Sequence, residues 1–107
     1  MKLTIVLSTV LTGMLLCAGR ARAEVVTFDD LSDNGLGTPI TGTYHGLTWT
    51  NFGVLNTTLF FLNPSGYQNG TVSAPNVAFN EGGLSAMTMG SAFTFNSAYF
   101  TGAWNTA

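Results

Sequence analysis

In Leu47-Thr48-Trp49-Thr50 apolar residues alternate with threonines, the period of a half-buried β-strand. The alternation puts Leu47 and Trp49 on one face and Thr48 and Thr50 on the other, and Trp49 reads as core because Leu47 shares its side. Short runs rich in Val, Thr and aromatic residues predict strands over residues 25–28, 47–52, 58–62, 77–80 and 93–104. Turn signals at Asn34-Gly35, Asn63-Pro64-Ser65-Gly66, Asn69-Gly70 and Gly82-Gly83 punctuate them. No stretch carries a sustained helical stripe. The expectation is an all-β fold, an antiparallel β-sandwich of jelly-roll type.

The last predicted strand breaks its own alternation. Phe93 and Phe95 fall on odd positions, whereas Phe100 and Trp104 fall on even ones. A bulge at Asn96-Ser97 would reconcile the two halves, and so would a central strand that is apolar on both faces. A central strand needs a neighbour on each side, yet the sequence runs only three residues past Trp104. The chain is therefore expected to be the N-terminal part of a larger sandwich.

Residues 3–19 form an apolar run of a different kind, preceded by Lys2 and followed by small residues at Ala21 and Ala23. This is the layout of a secretory signal cleaved after Ala23, which leaves residues 24–107 as the β-sandwich domain. The run has 17 residues, interrupted by Thr4, Ser8, Thr9 and Thr12. A membrane span needs roughly 20 mostly apolar residues, so an uncleaved anchor is the weaker reading. Cys17 follows Leu15-Leu16 rather than a small residue, which argues against lipidation.

Cleavage changes the charge balance. Lys2, Arg20 and Arg22 are the only basic residues and all precede the cleavage point, leaving Glu24, Asp29, Asp30, Asp33, Glu81 and the single His45. Nucleic-acid binding needs cations to displace phosphate counterions, and anionic membranes attract polybasic segments. Both partners are excluded for the mature chain, which is expected to be secreted and extracellular. Cys17 is the sole cysteine, so no disulfide can staple this small domain. Apolar packing, a bound ion or additional chain must supply what disulfides usually do.

Three groups of residues are candidates for chemistry. Asp29, Asp30 and Asp33, with the turn Asp33-Asn34-Gly35, gather hard oxygen ligands that suit a structural Ca²⁺. The loop is not an EF-hand, since Leu31 and Ile40 occupy ligand positions, and simple turn formation is the alternative. Tyr67 in the loop over residues 63–70, and Tyr44, are candidate rings for stacking on a sugar, with packing over the end of the sheets as the alternative. The sequons Asn56-Thr57-Thr58 and Asn69-Gly70-Thr71 make Asn56 and Asn69 glycosylation candidates in a eukaryotic secretory route.

Catalytic patterns are not matched. His45 would have to serve any Ser-His pair, and Gly83-Leu84-Ser85-Ala86-Met87 lacks the second glycine of a nucleophile elbow. Nothing in the sequence pairs two carboxylates as a glycosidase requires. The chain is expected not to be an enzyme.

Five ordered motifs carry a resemblance: Phe28-Asp29-Asp30-Leu31; Tyr44-His45-Gly46-Leu47-Thr48-Trp49-Thr50-Asn51-Phe52; Ser65-Gly66-Tyr67; Asn76-Val77-Ala78-Phe79-Asn80; and Phe93-Thr94-Phe95-Asn96-Ser97-Ala98-Tyr99-Phe100. Together they resemble secreted β-sandwich proteins of fungi with relatives among exported bacterial proteins, over most of the mature chain. His45 stands where that pattern has glycine. The resemblance implies an architecture like that of carbohydrate-binding modules, no established catalytic residues, and further strands after the last motif. Two functions stand as expectations: a secreted carbohydrate- or cell-wall-binding module, and an extracellular structural or surface protein with no small ligand; the expected partner is a polysaccharide or another extracellular protein.

Overall fold

The computed structural model describes residues 23–102. Residues 1–22 of the expected signal and Trp104 lie outside the described residues. Six strands follow in chain order, β1 (Thr38–Pro39), β2 (Thr43–Tyr44), β3 (Leu47–Thr50), β4 (Phe52–Asn56), β5 (Asn76–Asn80) and β6 (Ala86–Thr88), with one helical turn, α1 (Gly66–Asn69), between β4 and β5. They form two antiparallel three-stranded sheets, β1-β4-β5 and β2-β3-β6. At this level the all-β expectation holds. Among the described residues no helix is long and apolar enough to cross a membrane.

The β2-β3 hairpin closes through His45 and Gly46, whose φ values of 50° and 74° suit the turn that matches the twist of paired strands. Tyr44 and Leu47 face each other across it. Residues 47–52, expected as one strand, divide at Asn51, where φ is 56°. Asn tolerates this left-handed conformation better than most residues, and here it turns the chain from one sheet into the other. The same corner takes the return from β5 to β6. The Asn51 carbonyl accepts from the Glu81 N–H at 3.0 Å and the Ser85 hydroxyl at 2.6 Å, and its side-chain amide donates to the Leu84 carbonyl at 2.7 Å.

Register decides which residues meet in the core. In β4 and β5, Val54 pairs with Ala78 on one face, while Gly53 with Phe79 and Leu55 with Val77 pair on the other. Val54 joins Ile40 and Trp49 in a buried cluster that draws on both sheets, with Phe28, Tyr44, Leu47 and Met87 packed around it. Trp49 meets Phe28 and Phe52 edge-on, at centroid distances of 5.3 and 5.1 Å. The expected core role of Trp49 is what the structure shows. Leu55 is buried on the opposite face of its sheet, beneath Phe60, Tyr67 and Phe79. A Cβ at Gly53 would lie 2.7 Å from the Phe79 ring, so this register needs glycine there.

Three expected strands are not strands. Residues 25–28 form no ladder, and Phe28 adopts a φ of 66° that ends any extended run. Residues 58–62 wind into turns because the Asn56 side-chain oxygen accepts from the Thr58 N–H, the Thr58 hydroxyl and the Leu59 N–H. Such side-chain capture offers the backbone an alternative to a ladder. Over 93–102 the chain is unpaired, with Phe93, Phe95, Tyr99 and Phe100 exposed. Residues 77–80 do form a strand, begun one residue earlier by Asn76. The helical turn begins at Ser65, whose hydroxyl accepts from the Gln68 N–H at 3.2 Å.

Candidate functional site

Beside the core, where β1 leads into β2, lies a cleft of about 220 Å³. Ser32, Thr38, Thr41 and Thr43 line it alongside the Tyr44 ring, and Ile40 and Val54 help to form its apolar floor. Thr38 donates its hydroxyl to Asp33 at 2.7 Å.

Tyr44 is fixed from three sides. Its ring stacks on Phe28 at 5.7 Å, its hydroxyl donates to Asp30 at 2.5 Å, and its carbonyl accepts from the Trp49 indole N–H at 2.9 Å. Burial, then the hydrogen bond to Asp30 and the charge of that carboxylate, pushes the Tyr44 hydroxyl well above the ordinary tyrosine value. His45 sits edge-on to the same ring at 4.4 Å. Its Nδ1 meets the Glu24 carboxylate and its Nε2 lies 3.9 Å from Asp30.

The three aspartates grouped in the sequence have separate partners in space. Asp29 accepts from the Ser73 hydroxyl and from the Asn76 N–H at 3.0 Å. Asp30 turns to Tyr44. Asp33 accepts from the backbone N–H groups of Gly35 and Asn56, at 2.9 and 2.8 Å, besides Thr38. Burial raises the Asp33 carboxyl, but hydrogen bonds from Asn56, Thr38, Gly35 and Gly37 outweigh it and hold the group below its ordinary value. Among the described residues no group of three His, Cys, Asp or Glu side chains is arranged to hold a metal ion.

Tyr67 lies away from Tyr44, on the far face of the β1-β4-β5 sheet. It is half-buried and edge-on to Phe60 at 5.6 Å and Phe79 at 6.0 Å. Asn69 is exposed at the end of α1, and the Thr71 hydroxyl of its sequon donates to the Tyr67 carbonyl at 2.8 Å. Asn56 ends β4 with its side-chain oxygen turned to its own sequon threonine, Thr58, at 2.7 Å.

Asn76 organises this side of the molecule without having been singled out from the sequence. Its amide donates to the carbonyls of Phe28 and Leu31 at 2.8 and 2.7 Å, tying the segment that carries Phe28, Asp29 and Asp30 to β5. The available signal was a fully polar residue opening the apolar run of 77–79, which favours an internal tether over a solvated side chain. Comparison of the chain with family models, with curated proteins and with solved structures finds no match.

Proposed function

We propose that the chain is a secreted, non-catalytic β-sandwich protein that binds a neutral carbohydrate or cell-wall glycan, as its resemblance to secreted fungal and bacterial sandwich proteins implies. The observation that carries this reading is the cleft beside Tyr44. It brings the apolar Leu31, Ile40 and Val54 together with the hydroxyl-bearing Ser32 and Thr41, and its volume of about 220 Å³ suits one sugar ring. Binding sites for small ligands combine a mainly apolar wall with a few placed polar groups in this way. A non-catalytic role is supported by the surroundings of His45, which faces carboxylates rather than a hydroxyl it could activate.

Retention of the purified protein on insoluble cellulose, chitin and β-glucan tests the proposal. Ser32→Ala with Thr41→Val should lower retention while leaving the packing of Tyr44 intact, and equal retention by this variant and the parent would refute the assignment. A second reading, an extracellular surface protein that engages another protein, is favoured by Tyr99 and Phe100, which are 85% and 90% exposed. Exposed aromatic residues grouped in one segment mark interaction surfaces.

A further inference from the structure

We propose that the outer face of the β2-β3-β6 sheet binds ice. The register places Thr43 opposite Thr48 and Thr48 opposite Thr88, so three threonines form one row across all three strands. Thr50 opens the next row, opposite Ala86. Strand parity sends Tyr44, Leu47, Trp49 and Met87 to the core and these residues outward, where every one of them is exposed. No hydrogen bond within the described residues uses the hydroxyls of Thr43, Thr48, Thr50 or Thr88.

Pleated-sheet geometry sets the grid: about 4.8 Å between neighbours across strands and about 6.7 Å between alternate residues along one. Both repeats lie near those of the oxygen rows on a prism face of ice. Each threonine offers a hydroxyl that can take a lattice position and a methyl that gains by leaving liquid water. Its branched side chain is stiff at χ1, so the grid is ordered before contact.

Charge and aromaticity point to the same occupant. Glu24 and Asp30 lie at the His45 turn, Asp29 and Asp33 bond to the segments around β5 and β4, and Glu81 joins the Asn51 corner, so the face itself is uncharged. A neutral water lattice is complementary to such a surface. Among the described residues the outward positions of the three strands, Thr43, Thr48, Thr50, Ala86 and Thr88, carry no aromatic ring to stack on a sugar, which favours ice over crystalline polysaccharide.

The test is partition of the purified protein into a slowly growing ice hemisphere, together with inhibition of ice recrystallisation. The parent protein should concentrate in the ice and keep crystals small. Thr48→Tyr, which lifts the centre of the face away from a flat surface, should lose both effects. Thr48→Val, which keeps shape and strand preference, should lose part of them, and it decides the matter if the tyrosine variant misfolds. Gln68→Tyr on α1, remote from the face, should retain both. Exclusion of the parent from ice, or partition of a folded Thr48→Tyr equal to the parent, would overturn the proposal. Adsorption to crystalline cellulose or chitin that Thr48→Tyr abolishes, without partition into ice, would overturn it in favour of a polysaccharide face.

Discussion

Replacing Asn76 tests the tether on which the candidate site depends. The residue is 3% exposed, and its amide N–H groups satisfy the Phe28 and Leu31 carbonyls at 2.8 and 2.7 Å. Each buried polar group left without a partner costs about 1–3 kcal/mol. The Asn76 side-chain oxygen is itself buried without a partner, and truncation removes that cost. The Phe28 carbonyl still accepts from the Leu31 N–H at 3.1 Å, so truncation orphans the Leu31 carbonyl alone, and Asn76→Ala should destabilise by roughly 1–2 kcal/mol, a sizeable part of the stability of a small domain. Asn76→Asp keeps the shape but turns a carboxylate toward two carbonyl oxygens beside Asp29, so at neutral pH it should cost more than alanine. Burial and those oxygens raise the new carboxyl's pKa in the folded state, so its deficit should shrink as the pH falls and the group protonates. Urea titration followed by tryptophan fluorescence measures both variants. An alanine variant within about 0.5 kcal/mol of the parent, the range of neutral surface changes, would refute the reasoning. So would an aspartate variant no worse than alanine at neutral pH.

Two further outcomes follow from the same structure. Because its hydrogen bonds hold the Asp33 carboxyl below the ordinary value of 3.8, the stability it contributes is present above that value and is lost as the pH falls through the lower folded value. Acid unfolding curves of Asp33→Asn should lack this part of the acid limb, and a limb unchanged from the parent would count against it. Gly35 and Gly42 both have positive φ, but a Cβ at Gly35 would lie 2.4 Å from the Leu59 carbonyl oxygen whereas one at Gly42 meets nothing within 4 Å. Gly35→Ala should therefore destabilise by more than about 1 kcal/mol and by more than Gly42→Ala, and equal melting temperatures for the two variants would show that the Leu59 contact relaxes freely.

What the sequence made legible was the period-two alternation of Leu47 to Thr50 and the apolar run of 77–79, because both are set by neighbouring residues. The burial of Trp49 followed from that alternation alone. Residues 25–28 and 58–62 have the same composition as strands, but their backbones are captured from elsewhere: the first by Asn76, 48 positions from Phe28, the second by the Asn56 side chain. Composition cannot show a partner so distant, nor an asparagine that outcompetes a ladder. The separate partners of the aspartates were hidden for a related reason. Their closeness in sequence suggested one oxygen cage, whereas the turn at residues 29–31 and the Asx bond from Asp33 to Gly35 send the carboxylates to different elements. The threonine face was half visible, since Thr48 and Thr50 share a face by parity, but its continuation to Thr43 and Thr88 depends on strand pairing.

The same residues explain how a chain expected to keep no Lys or Arg after cleavage holds its loops. Among the described residues the carboxylates meet a basic side chain at one place, where His45 lies against Glu24 and Asp30. Elsewhere the connections are stitched by neutral amides: Asn51 and Asn80 at the corner between the sheets, Asn63 against the Thr57 carbonyl and the Ser65 hydroxyl, Asn76 beneath Phe28. An amide both donates and accepts, so one side chain can satisfy a carbonyl and an N–H or hydroxyl of the same turn, which a carboxylate or an ammonium cannot do alone. Asn80 does this by donating to the Gly83 carbonyl at 3.0 Å while accepting from the Gly82 N–H at 2.8 Å. Neutral hydrogen bonds are not weakened by the salt that screens exposed charges. Asparagine therefore serves here as the loop-fastening residue, and the single histidine is left to join the carboxylates near the entrance of the cleft.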